Sequence, residues 1–275
     1  MSDQSTLSLS DFKIRLIENY DEYIAVAELQ KEVWGQESIE IVPPSILMVN
    51  QKIGGLVAGA FTPENELVAF VYGLPGFRSG EEVHWSHMLA VRPPWRGYGL
   101  GRVLKEYQKQ FVLERNIDIV HWTYDPLESV NAKLNLSRLG ALPAEYVLDL
   151  YGKGEKSVLH RGIGTDRFIL TWFMKDQARM QYLAGYHEPT TLDDAVSVIS
   201  DDIRFEPASL EAYVIKVEIP ENIQQLKDDL PKVAADWRNA TRSAFQHYMS
   251  LAYAVTAFMK DDQTGRCYYL MSKPR

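Results

Sequence analysis

Apolar and polar positions change period repeatedly along this chain, and the changes outline an alternation of strands and helices. Ile14-Arg15-Leu16-Ile17 alternates as a short strand. Asp21 is placed to cap a helix whose apolar side carries Tyr23, Ile24, Ala27, Val33 and Trp34. Pro43-Pro44 opens a short second helix through Val49. Residues 54–61 and 67–74 read as strands around a turn at 63–66, and Pro75-Gly76 is expected to end the second of them. A strand over 83–91 stops at Pro93-Pro94, a glycine loop follows, and a helix is predicted from about 99 to 115. The strand over 118–124 ends at Asp125-Pro126, because proline cannot pair within a sheet. A helix over 129–139 stops at Gly140. Strands at 145–151 and 167–174 enclose a loop with Gly152, Gly154, Gly162 and Gly164, whose glycines allow motion.

The remainder has a different texture. Residues 1–12 form a polar tail, expected to be disordered. Residues 186–210 are acidic and turn-rich and read as a linker or long excursion. Residues 213–219 alternate as a strand, and 230–253 are helical, with Trp237, Thr241, Ala244, Phe245, Tyr248 and Leu251 near one face. Residues 267–271 suit a last strand. The pattern divides the chain into a domain over 13–175 and a C-terminal α/β extension over 176–275 that packs on the first domain or at a dimer interface.

Composition narrows the function. The chain has 275 residues, 46% hydrophobic and 24% charged, enough for a sizeable core. Its net charge of −8 gives no global basic footprint for nucleic acid. No apolar run approaches the roughly 20 residues of a membrane span, and the polar N-terminus lacks the pattern of a secretory signal. A cytoplasmic protein is expected. The single cysteine, Cys267, excludes an internal disulfide and reads as a strand residue rather than a nucleophile. No His/Asp/Glu group has metal-ligand spacing, so no metal is expected. No activated nucleophile such as a Gly-x-Ser-x-Gly elbow is present.

The candidate chemistry centres on Arg96-Gly97-Tyr98-Gly99-Leu100-Gly101-Arg102, between a strand and a helix. Glycines let backbone approach a ligand, and the first N–H groups of a helix attract anions. Arg96 and Arg102 can add charge-assisted bonds to phosphate. By itself the spacing fits a plain turn as well as a phosphate cradle. A dinucleotide-binding Rossmann unit is less suitable, because its loop follows the first strand of a domain. Together with the preceding Met88-Leu89-Ala90-Val91-Arg92-Pro93, the motif resembles the fourth strand and phosphate loop of the GNAT (Gcn5-related N-acetyltransferase) superfamily. The order β-α-α-β-β-β-α-β-α-β-β over 13–175 matches that fold. The resemblance implies a GNAT-like α/β (α+β) class, with a mixed, mostly antiparallel central sheet flanked by helices.

It also implies acetyl-CoA, or another short-chain acyl-CoA such as succinyl-CoA, as cosubstrate. Main-chain groups of Leu89 and Val91 inherit contacts to the pantetheine arm, with the Leu89 N–H on the thioester carbonyl. Arg96, Gly97, Tyr98, Gly99, Leu100, Gly101 and Arg102 inherit the pyrophosphate. Two positions depart from the family pattern: Leu136 stands where many members carry an acidic tyrosine, and Ser129 where an asparagine is common. Other groups are then candidates for proton transfer. Tyr124 can donate to the thiolate. Asp125 can orient an ammonium or simply hold a turn before proline. His84 and His87 lie three apart on one strand and face opposite sides, so at most one faces the cleft; His87 is the candidate base, and a hydrogen-bonded structural histidine is the alternative for either. Asn131 and Asn135, four apart on one helix, either bind pantetheine amides or acceptor, or are surface residues. Trp95 abuts the loop and can shield the adenine or pantetheine.

Residues 120–140, the early Leu29-Gln30-Lys31-Glu32-Val33-Trp34-Gly35, and Thr165-Asp166-Arg167-Phe168 resemble a bacterial subgroup of GNAT enzymes with the same C-terminal extension. The implied activity is N-acyl transfer to a primary amine of a small molecule such as an amino acid, by direct attack in a ternary complex. Neither nucleic acid nor membrane is an expected partner, and a homodimer is one expectation. Two competing functions remain open: a non-catalytic CoA-binding sensor or scaffold, and a protein that binds ATP or NAD through the glycine loop.

Overall fold

A computed structural model describes residues 7–35, 40–152, 163–188 and 191–275. Part of the N-terminal tail, and Gly154 and Gly162 of the glycine-rich loop, lie outside the described residues. The chain forms two compact units, Met1–His121 and Trp122–Arg275. The second unit therefore holds both the C-terminal extension and the last strands of the 13–175 segment.

In the first unit, β1 (Lys13–Leu16), β2 (Leu56–Phe61), β3 (Leu67–Arg78) and β4 (Glu81–Val91) pair antiparallel in that order. β5 (Ile119–Tyr124) joins β4 in parallel. α1 (Tyr20–Trp34) and α2 (Pro44–Lys52) cover one sheet face. Val26, Leu29 and Leu47 pack there against Phe61, Phe70, Tyr72 and Ala90. Asn19, rather than the expected Asp21, caps α1, its side chain accepting from the Glu22 N–H at 3.0 Å. α3 (Leu100–Leu113) packs on β2, β3 and β4, burying Leu100, Leu104 and Phe111.

Two features of β3 and β4 were not expected. β3 does not stop at Pro75-Gly76 but continues to Arg78, with Pro75 opposite His84. The reason is local: β2 pairs with β3 only as far as Gly73. Beyond it the missing proline N–H costs no bond on that side. The second feature is a bulge. Tyr72 lies opposite Met88 and Gly73 opposite Ser86, so His87 is the extra residue.

In the second unit β5 is followed across the sheet by β7 (Arg167–Phe173) and β6 (Leu142–Val147), the last two antiparallel. A separate sheet has the order β10 (Ala254–Lys260), β11 (Cys267–Ser272), β9 (Val214–Ile219), β8 (Val196–Ser197). α5 (Asp176–Leu183), α6 (Ile223–Asp229) and α7 (Pro231–Ser250) complete it. Phe168 ties these elements together, with ring centroids 4.7 Å from Phe245 of α7 and 5.6 Å from Tyr269 of β11. The helix expected over 129–139 is α-helical only over Ser129–Ala132, called α4 here, and then π-helical over Lys133–Arg138. Its wider turn shows in the Leu139 N–H bond to the Leu134 carbonyl at 2.9 Å. The helix expected over 230–253 is present as the unbroken α7, which Pro231 opens, and α6 is a separate short helix before it. No helix among the described residues is long and apolar enough to cross a membrane.

Candidate functional site

The first unit carries a forked strand edge beside an open helix end. β5 pairs with β4 only at His84↔Val120 and Trp85↔His121, whereas β3 follows β4 to Val91. The far half of β4 therefore has one edge that β5 leaves. Strand geometry fixes which N–H groups face it. The Arg92 N–H donates to the Val68 carbonyl on the β3 side at 2.9 Å. Alternate N–H groups point the same way, so those of Met88 and Ala90 face β3. Those of Leu89 and Val91 face the edge β5 has left. Arg96 lies on that edge as well, its Nε donating to the Val91 carbonyl at 3.3 Å.

The glycine loop leads from this edge into α3. Gly97 and Gly99 have φ of +89° and +83°, a region that costs a residue with Cβ about 1–2 kcal/mol. Gly99 is the N-cap of α3 and supplies no side chain to it; the Arg102 N–H donates to the Gly99 carbonyl at 3.1 Å, and the Leu100 and Gly101 N–H groups before it are the ones placed for an anion. A Cβ on Gly101 would meet only Leu89 Cδ2 at 3.5 Å, an ordinary contact. Arg102 is exposed on the first turn. Trp95 is buried in an aromatic cluster, edge-on to Phe12 at 5.4 Å and 5.8 Å from Tyr98. It braces the loop from beneath instead of offering an open face to a ligand.

The two β4 histidines are in different surroundings. His84 is buried, and its pKa falls to about 3 because burial strips its water and the charges of Lys105 and Arg115 oppose protonation. His87, at the bulge, is exposed at its edge and set edge-on against Tyr72 at 5.8 Å. Loss of water on its packed side outweighs the charge of Glu40 and lowers its pKa.

In the second unit, Tyr124 and Asp125 are committed to internal bonds. Tyr269 donates its hydroxyl proton to the Pro126 carbonyl at 2.7 Å. The Tyr124 hydroxyl, 3.0 Å from that of Tyr269, is then the donor of the pair. Burial raises the pKa of Tyr124 far above 10. Asp125 is buried and accepts from Arg238 Nη2 at 2.7 and 2.6 Å and from the Leu127 N–H at 2.9 Å. Burial works to raise its pKa, but the Arg238 and Arg167 charges outweigh it and hold the carboxyl below its usual range. The carboxylate thus closes a turn, one of the two roles the sequence left open, and adds an ion pair to it. Asn131 is exposed and Asn135 buried. The passage from α to π spacing between them removes the shared face expected of residues four apart. Leu136 is buried, and Ser129 donates to the Glu221 carbonyl at 2.5 Å. Among the described residues no group of three His, Cys, Asp or Glu is arranged to hold a metal ion.

One buried polar group escaped the sequence reading. Lys105 and Gln108 of α3 contact Ser86 and His84 of β4. The signal was present: two polar residues three apart, interleaved in the stripe formed by Leu100, Leu104 and Phe111.

The sequence matches no family model and no curated protein. Solved structures resemble part of the chain. The ribosomal-protein-S18-alanine N-acetyltransferase of Escherichia coli is 17% identical with a TM-score of 0.47, over 60% of this chain and 94% of that one. The ribosomal-protein-S5-alanine acetyltransferase of Vibrio fischeri is 13% identical with a TM-score of 0.48, over 60% and 94%. A putative acetyltransferase of Salmonella typhimurium, solved with acetyl-CoA, is 12% identical with a TM-score of 0.47, over 60% and 95%. On its own strand order, with a parallel fork between β4 and β5 and a glycine loop at the exit of β4, the chain has a GNAT-like fold.

Proposed function

We propose that this chain is an acyl-CoA-dependent N-acyltransferase that moves an acetyl or other short acyl group, succinyl included, to a primary amine of a small molecule such as an amino acid. The observation that carries the reading is the pairing of an open β4 edge with an uncapped α3 terminus in one unit. Leu89 and Val91 supply main-chain N–H donors for the pantetheine arm and the thioester carbonyl. The N–H groups of the 97–102 loop, with Arg96 and Arg102, supply the pyrophosphate site. Both donor sets suit acyl-CoA, which is anionic at one end and a neutral amide and thioester at the other.

In the reaction the amine nitrogen forms a bond to the thioester carbonyl carbon, the carbon–sulfur bond breaks, and the thiolate takes a proton. The ammonium must first lose one. His87 is the candidate that stands exposed, and its lowered pKa keeps it neutral and able to accept that proton. Replacing His87 by Gln is expected to lower kcat at pH 7 by roughly 10²-fold with little change in CoA affinity, since a lost general base costs on that order. Steady-state rates over an amino-acid panel check this; an unchanged kcat removes His87 from the reaction. The sensor or scaffold reading draws on Leu136 and on the committed Tyr124 hydroxyl; it expects tight CoA binding and no turnover with any amine.

Thermal stabilisation by acetyl-CoA, succinyl-CoA, ATP and NAD tests the ligand class. A ligand at 100 times its Kd adds about 2.7 kcal/mol to the native state. The expected result is a rise in Tm with the acyl-CoA esters and none with ATP or NAD. Equal shifts with the nucleotides would leave only a glycine-loop anion site.

A further inference from the structure

α3 carries two buried polar side chains in its otherwise apolar stripe. Lys105 Nζ donates to Ser86 Oγ at 2.8 Å and to Gln108 Oε1 at 3.1 Å. Gln108 Nε2 lies 2.9 Å from His84 Nε2. With its oxygen engaged by Lys105, the Gln108 amide presents N–H to His84, so the neutral ring accepts at Nε2 and carries its proton on Nδ1. Gly73 of β3 seals the site: a Cβ there would lie 2.1 Å from His84 Nε2. Burial pushes the Lys105 amine down to about 7. Apolar residues would fill this space without desolvating four polar groups, so its location calls for an explanation.

The network grips β4 at two residues that flank Trp85, the last residue paired with β5, and immediately before the bulge at His87. His84 and Ser86 face α3. Beyond the bulge the parity is inverted: Leu89 faces α3, touching the Gly101 position, while Met88 and Ala90 face the α1–α2 core. Without the extra residue the alternation would run on, and the Leu89 and Val91 N–H groups would turn toward β3. We propose that Lys105, Gln108, His84 and Ser86 form a positioning device for the acyl site. They lock β4 to the helix that begins at the phosphate loop, hold the bulge in register, and so aim the Leu89 and Val91 N–H groups at the thioester carbonyl.

The proposal rests on the CoA reading above, and its test keeps the two separate. The variant is Lys105→Met, similar in length and unable to donate. Calorimetric titration with CoA gives affinity at the pyrophosphate end. Infrared difference spectra of bound acetyl-CoA, labelled with ¹³C at the carbonyl, report polarisation by the N–H donors. In the wild type the carbonyl stretch is expected at lower frequency on binding. In Lys105→Met, CoA affinity should stay within about threefold, because the loop donors are untouched, while the carbonyl shift falls below half its wild-type size. A merely structural lysine would change Tm and leave the shift of the bound ligand alone. A full shift in the variant, or none in the acetyl-CoA-bound wild type, overturns the positioning role. Failure of the wild type to bind acetyl-CoA overturns the functional reading itself. If Lys105→Met does not fold, Gln108→Met, which keeps the Lys105–Ser86 bond, is measured in the same way, and a full shift there is equally fatal.

Discussion

Gly99→Glu should abolish the thermal stabilisation by acetyl-CoA, while Gly101→Ala should retain it. Two effects coincide at position 99. Its φ of +83° strains any residue with Cβ, at about 1–2 kcal/mol, and a carboxylate at the N-cap of α3 would stand where the pyrophosphate binds. Like charges brought together at a binding site cost several kcal/mol, so the combined loss is on the order of 10³-fold in affinity. The folded state should be affected less: a Cβ at 99 would meet only Leu9 Cδ2, at 3.8 Å, and an acidic group near a helix N-terminus interacts favourably with its dipole. Gly99→Ala separates the contributions, since it carries strain without charge and should lose about tenfold or less. Titration calorimetry with CoA on the three variants checks the order. Undiminished binding by Gly99→Glu would place the anion elsewhere and remove the main support for the proposed function.

That site was legible because its signals are local. Pro93 and Pro94 end a strand, Gly97 and Gly99 take conformations that favour glycine, and an amphipathic helix follows at once; each step is written within ten residues. The β4 bulge was not legible in the same way. Residues 83–91 alternate well enough to read as one continuous strand, and only the partner's register reveals that His87 is extra. The extension of β3 past Pro75-Gly76 also depends on a neighbour, the early end of β2. The turn after β5 shows the converse limit. Tyr124 and Asp125 have side chains suited to proton transfer, and nothing near them in sequence announces Tyr269 or Arg238. Those partners stand more than 100 positions away, so residue type left Asp125 open between a turn and proton transfer, and only tertiary contact reveals the bonds that engage both side chains.

The Asp125–Arg238 pair gives the largest expected effect on stability. Both side chains are buried. Arg238 also donates from Nε to the Ile163 carbonyl at 3.0 Å, so one guanidinium joins α7, the turn after β5 and the start of the segment leading to β7. Arg238→Met keeps much of the volume and removes the bidentate partner of Asp125, leaving Arg167 at 3.6 Å. Removing one partner of a buried ion pair costs about 3–5 kcal/mol. The pH dependence tests the cause. In the wild type the Asp125 pKa is held below its unfolded value, so its contribution is present above pH about 4. That contribution is lost as pH falls through the lower, folded value. In Arg238→Met the loss of water around the buried carboxyl gains against the remaining positive charge and the pKa rises, so the ionised carboxylate is a penalty at neutral pH that protonation relieves. The difference between wild type and variant in urea unfolding should therefore be greatest near pH 7 and shrink toward pH 4. The double variant Arg238→Met/Asp125→Asn, whose neutral amide removes the uncompensated carboxylate and leaves Arg167 without that partner, should recover part of the loss at pH 7. A loss of equal size at both pH values would mean that packing around α7, and not the ion pair, was removed.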